Sequence, residues 1–224
     1  MNTTHAIAID THFFLSAITD GPEGDMARGQ IIKAAEGAKQ KSLAWCVHIK
    51  QIQEIQHKLS QVLAAPDTTD EEKDAATDLF AWLESLEAIL RLDKTRGAHQ
   101  ELNVVFGDPI NYTIAAEAEE LGDYLRRKTA EASGERNDST FYAFAALEHA
   151  VALSGDSHMR ELDKAARSIR ENSSAKKRKG EKLDNMESLL LEHNPYPVLI
   201  STPNKTTSKQ RPEKTLSELT GFPG

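Results

Sequence analysis

A single cysteine, Cys46, stands among 224 residues, so neither an intrachain disulfide nor a cysteine-rich metal cluster can form. Aromatic residues are scarce at 6%. The two tryptophans, Trp45 and Trp82, lie in apolar segments that suit a core better than base stacking. No run of 18 apolar residues exists, so no membrane span is expected. The N-terminus lacks a basic segment followed by an apolar one, so no secretory signal is expected and the cytoplasm is the default location. Positive charge is also in deficit. The 27 Lys and Arg stand against 35 Asp and Glu, for a net charge of -8, so bulk electrostatics do not draw the chain toward nucleic acid. An acidic site can still meet phosphate where metal ions invert its local field.

What is present is a chain with 39% hydrophobic and 28% charged residues, the balance of a soluble globular protein. Residues 1–203 read as one domain. Residues 204–224, rich in Lys, Thr, Ser and Pro, read as a flexible tail. Short apolar runs that suit strands occur at residues 6–9 (AIAI), 43–49 (LAWCVHI), 103–106 (NVVF), 151–153 (VAL) and 197–201 (PVLIS). Between them, apolar residues recur at helical spacing over residues 26–39, 50–63, 70–90, 113–132, 139–149, 159–169 and 183–191. Gly21 and Pro22 mark a loop at residues 19–24, and residues 173–182 read as a polar segment. Strands alternating with helices predict an α/β fold around a parallel sheet, with an extra helical section after the second strand.

In a parallel sheet, chemistry collects outside the C-terminal ends of the strands. Asp10 follows the first strand directly, and Asp156 lies just past the fourth. Glu54 sits just over one turn into the helix that leaves the second strand, and Asp138 opens the helix that feeds the fourth. That helix runs back across the sheet, so its start falls at the same edge as Asp10 and Asp156. Clustered carboxylates repel unless cations compensate. Oxygen donors without paired Cys or His point to Mg²⁺ or Mn²⁺, and such a site suits a phosphodiester. Each acid also has a plainer reading. Asp10 can cap the following turn, Glu54 can pair with Lys58 one turn on, Asp138 can be an N-cap, and Asp156 can be turn chemistry. The KKRKGEK stretch at residues 176–182 and the run Arg126, Arg127, Lys128 read as solvated surface, or as contacts to a phosphate backbone.

The stretches AIAIDTHFFLSAI, HIKQIQEIQHKL, NDSTFYAFAALEHAVALSGDSHMREL and NPYPVLISTP together resemble the PIN nuclease domain family over roughly residues 5 to 203. The resemblance implies an α/β/α sandwich around a sheet of four or five mainly parallel strands. It implies a Mg²⁺- or Mn²⁺-dependent endoribonuclease, with Asp10, Glu54, Asp138 and Asp156 as catalytic metal ligands and RNA as substrate. Many members are toxins of toxin–antitoxin pairs and others process RNA, so an antitoxin or other regulatory protein is an implied partner, and a homodimer is left open. The chain departs from the family at His12, where a small polar residue usually follows the first acid by two positions. It departs again at His158, where some members carry another acid; both histidines read as outer or surface residues. The alternative function is a catalytically silent module on the same scaffold that binds RNA or a protein.

Overall fold

The computed structural model describes residues 5–19, 21–39, 43–92, 104–106, 112–129, 136–154 and 156–192. In chain order the elements are β1 (His5–Ile9), α1 (Thr11–Ala17), α2 (Pro22–Lys39), β2 (Leu43–Val47), α3 (Ile49–Ala64) and α4 (Asp70–Leu92). They continue with β3 (Val104–Phe106), α5 (Tyr112–Lys128), α6 (Arg136–Leu147), β4 (Val151–Leu153), α7 (Ser157–Arg178) and α8 (Asn185–Glu192). The fold is α/β and mostly helical, around a small, open, all-parallel sheet in the order β3-β2-β1-β4. The strand expected at residues 197–201 and the tail expected at 204–224 lie outside the described residues. The extra helical section after the second strand is present as α3 and α4.

The strands are apolar without alternation because both faces of the sheet are covered. Successive residues of β1 enter two different cores. Ile7 and Ile9 join Trp45, Val47 and Leu153 in a core built with α1–α4. Ala6 and Ala8 join Cys46 and Ala152 in a second core built with α5–α8. Three of the helices supply one apolar stripe each at helical spacing: Ile52, Ile55 and Leu59 from α3; Ala118, Leu121 and Leu125 from α5; Met159, Leu162 and Ala166 from α7. Helix α6 is buried continuously from Ser139 to Leu147, because α5 and α7 both pack on it.

Three local readings need correction. Residues 11–17 form a helix that the sequence pattern does not mark, with Phe13, Phe14 and Ala17 buried. Helix α2 then begins at Pro22, inside the expected loop; proline at a first helical position loses no hydrogen bond and has φ already set. Helix α7 runs on to Arg178 through the segment expected to be irregular. Ser173 is fully buried and donates to the Ile169 carbonyl at 2.8 Å, and the basic last turn complements the helix dipole. Gly180, at φ 73°, ends it in the left-handed conformation glycine favours.

Gly122 brings α5 and α6 into near contact. A Cβ there would meet the Ser139 carbonyl carbon and oxygen at 2.8 Å and the Thr140 nitrogen at 2.9 Å, all backbone. Gly122→Ala gains about 1 kcal/mol of helix propensity, yet it must push two helices apart. A net destabilisation of about 1–3 kcal/mol is expected from overpacking. Urea unfolding of the two proteins measures it.

Candidate functional site

The order β3-β2-β1-β4 reverses direction at β1: the chain leaves β1 for β2 on one side, and β4 arrives on the other. A crevice opens at such a switch point outside the strand C-termini. Asp10 ends β1 there. Its backbone N–H donates to the Leu153 carbonyl at 2.9 Å, extending the β1–β4 ladder by one bond. Asp10 occupies the N-cap position of α1, yet its side chain makes no capping bond. Its carboxylate instead accepts from the Ser154 hydroxyl at 2.5 Å, just past β4. That hydroxyl also accepts the Asp156 backbone N–H at 3.1 Å. Ser154 therefore ties the acid after β1 to the acid after β4.

Asp10 is only 6% exposed. Burial, above all, pushes its carboxyl up to about 6; the charges of Asp156 and Glu54 add to this, while the Ser154 hydrogen bond and His12 oppose it. Glu54 comes from α3 and accepts from the Thr11 hydroxyl at 3.2 Å, so its carboxylate turns toward α1. Gln51, one turn earlier, donates its side-chain amide to the Ile9 carbonyl and fastens α3 to the end of β1. Asp10, Glu54 and Asp138 line one cleft together with Thr11, Lys50 and Asn137.

Asp138 lies in the first turn of α6, not at its N-cap, because the helix begins two residues earlier at Arg136. Arg136 reaches Asp123 at 3.3 Å and Glu119 at 3.6 Å on α5. Glu119 is also bonded by Lys50, and that hydrogen bond holds its carboxyl below the usual range. This ion-pair network joins α3, α5 and α6 beside the cleft. Asp156 is the N-cap of α7 and accepts the His158 N–H at 2.8 Å, so the turn-chemistry reading of this acid is correct as far as it goes. His158 Nδ1 lies 3.4 Å from Asp156 and 3.6 Å from Asp138. Asp138, Asp156 and His158 can each offer one ligand atom, all within 4.8 Å of one another.

All four predicted acids thus arrive at one edge of the sheet. Asp10, Glu54 and Asp138 share the cleft, and Asp138 shares the second grouping with Asp156 and His158. His12 is exposed on α1, with Nε2 3.4 Å from the Ser16 hydroxyl. Ser154, Lys50, Gln51 and Asn137 are site residues that the sequence reading passed over. The signal for two of them is spacing: Lys50, Gln51 and Glu54 fall at i, i+1 and i+4, one polar strip on a helix whose other face is apolar. No family model matches the chain, and no curated protein or solved structure matches it. Among the described residues, no helix is long and apolar enough to cross a membrane.

Asp10 carries a stability consequence with a definite sign. Its folded-state pKa, about 6, lies above the ordinary value of 3.8. The folded state therefore binds this proton more tightly, and stability falls as pH rises from 3.8 through 6. Asp10→Asn removes that cost while retaining an acceptor for Ser154. In EDTA at pH 8 the variant should be more stable than the wild type by about 2–3 kcal/mol. The gain should shrink as pH falls toward 4. Urea unfolding across that range checks both the size and the direction.

Proposed function

We propose that the chain is a divalent-metal-dependent endoribonuclease of the PIN domain kind, acting on RNA phosphodiesters. The observation that carries this reading is the convergence of Asp10, Glu54, Asp138 and Asp156, from four separate elements, at the edge where β1 and β4 end. Carboxylates of separate origin, one of them raised in pKa above all by its burial, with like charges adding to it, form an arrangement that a cation relieves. The helical layers on both faces of the parallel sheet, with α3 and α4 added after β2, are compatible with the α/β/α sandwich of that family.

The donor set fits a hard or borderline divalent ion such as Mg²⁺ or Mn²⁺: Asp138 and Asp156 offer oxygen and His158 offers nitrogen, with Asp10 and Glu54 alongside. Bound there, the ion would supply charge neutralisation and Lewis acidity at the phosphodiester. The chain's own groups would divide the remaining work. Ser154 fixes the Asp10 carboxylate, Thr11 fixes Glu54, and Asp156 is held by its own helix cap. Asn137, on the cleft wall, would contact the phosphate oxygens, and Lys50 would do so by exchanging Glu119 for phosphate. The family reading brings with it a small regulatory protein, an antitoxin if the chain is a toxin, that would cover this acidic cleft.

One observation favours a second reading, a silent module that binds RNA or protein. His158 Nδ1 lies 3.4 and 3.6 Å from two carboxylates, between them, in the place a cation would otherwise take. The two readings separate in a cleavage assay on matched RNA and DNA pools, with Mn²⁺, Mg²⁺ or EDTA. The nuclease reading expects RNA cut only with metal, leaving 5′-phosphate and 3′-hydroxyl ends. It expects Asp10→Asn and Asp156→Asn each to slow the reaction on the order of 100-fold or more. Cleavage indifferent to metal and to both substitutions, or absent from every RNA pool, would contradict it.

A further inference from the structure

We infer that the groove between α5, α7 and α8 is a docking site for the phosphate backbone of single-stranded RNA. The choice of RNA rests on the function proposed above; the groove itself rests on other residues. Two basic runs end two helices: Arg126, Arg127 and Lys128 on α5, and Lys176, Lys177 and Arg178 on α7, followed by Lys179. Each run alone would do no more than complement a helix dipole. The fold brings the two together. Lys128, Lys176 and Lys179 line one open groove with Tyr124, Asn172 and Glu187, in a protein whose net charge is -8.

The acids in and around the groove are already engaged. Glu187 is buried, accepts from Lys176 at 2.5 Å and from the Asp184 backbone N–H at 3.0 Å, and its carboxyl is held low by that lysine first. Asp184 accepts from the Tyr124 hydroxyl at 3.5 Å and from the Glu187 N–H at 2.7 Å. Lys176 is therefore matched at close range, whereas Lys128 acts on Glu187 only through its charge and Lys179 has only a solvated pair. Lys128 stands 5.6 Å over the Tyr124 ring. Lys179 is 72% exposed, with Glu181 at 3.9 Å in a solvated pair that exchanges easily for phosphate.

The lining chemistry favours a polynucleotide over a protein. Ammonium, amide and phenol groups are those that contact phosphate and sugar. A protein partner would be anchored by a cluster of Trp, Tyr and Arg in a well-packed pocket, and of these residue types the groove lining holds only Tyr124. Among the described residues the exposed large hydrophobic is Ile32, on α2 rather than in this groove. Position supports the same choice. Helix α7 begins at the grouping of Asp156 and His158 and spans 22 residues, about 33 Å. Its groove residues run from Ala165 to Lys179. A strand held there would lie along α7 with one end directed to the acidic edge.

The test is fluorescence anisotropy of a short, unstructured, fluorescein-labelled RNA in EDTA, across a salt series, with Lys128→Gln/Lys179→Gln and the control Lys33→Gln beside the wild type. Two lost phosphate contacts should weaken binding about tenfold at low salt and flatten the salt slope by about 1.4, at 0.7 for each charge. Lys33→Gln, on α2 in the other helical layer, should bind as well as the wild type. Unchanged affinity and slope in the double variant would overturn the inference, as would polyglutamate occupying the groove in preference to RNA. Lysine-dependent binding without cleavage by any form would remove the nuclease reading and leave the groove standing. Metal-dependent cleavage with no lysine effect would do the reverse.

Discussion

A carboxylate at the end of a doubly buried strand is the constraint on which the rest of this site depends. Asp10 cannot move away from the protein interior, because its backbone is the last rung between β1 and β4. It does not use the nearest escape, a cap on α1. Its charge is therefore managed from outside its own segment, by the hydroxyl of Ser154 on the far side of the sheet's switch point. Burial and two like charges still raise its pKa to about 6. A protein that gained nothing from this acid could relieve the cost with one amide.

The two cores explain how such a site is held still. Ile7 and Ile9 anchor β1 to one helical layer, and Ala6 and Ala8 anchor it to the other. The acids ride on elements fixed by these layers: Glu54 between Ile52 and Ile55 on α3, and Asp138 beside the buried run that opens at Ser139. Gly122 lets α5 approach α6 closely, and the Arg136 contacts to Asp123 and Glu119 lie in the same region. Packing and electrostatics thus position the same first turn of α6. The basic groove lies farther along the same helical layer, so acidic and basic surfaces are separated on a single rigid helix, α7.

Much of this arrangement is legible in the sequence, for physical reasons. Strands buried on both faces appear as unbroken apolar runs, so β1 and β4 and the acids beyond them can be read directly. Glu54 is legible as a polar interruption in a helix with a clear apolar face. Helix α1 is not legible, because seven residues that are buried on most sides carry no periodicity. The end of α7 misleads because its composition is polar, and only Ser173, a buried polar residue, shows that the helix stripe continues. Ser154 is hidden for another reason. Its partner lies 144 residues away, and only the pairing of β4 beside β1 brings them together. His158 is visible as a histidine two residues past Asp156, but its place between Asp138 and Asp156 is seen only in the fold, with Asp138 in the first turn of α6.

On the function proposed above, the acids at this edge hold a divalent cation. Calorimetric titration of Mn²⁺ into the metal-free protein tests it most directly, with Asp138→Asn and Asp156→Asn as comparisons. Saturable binding by the wild type, lost or greatly weakened in each variant, is the expected result. Absence of binding by the wild type, or binding that both substitutions leave unchanged, would contradict it.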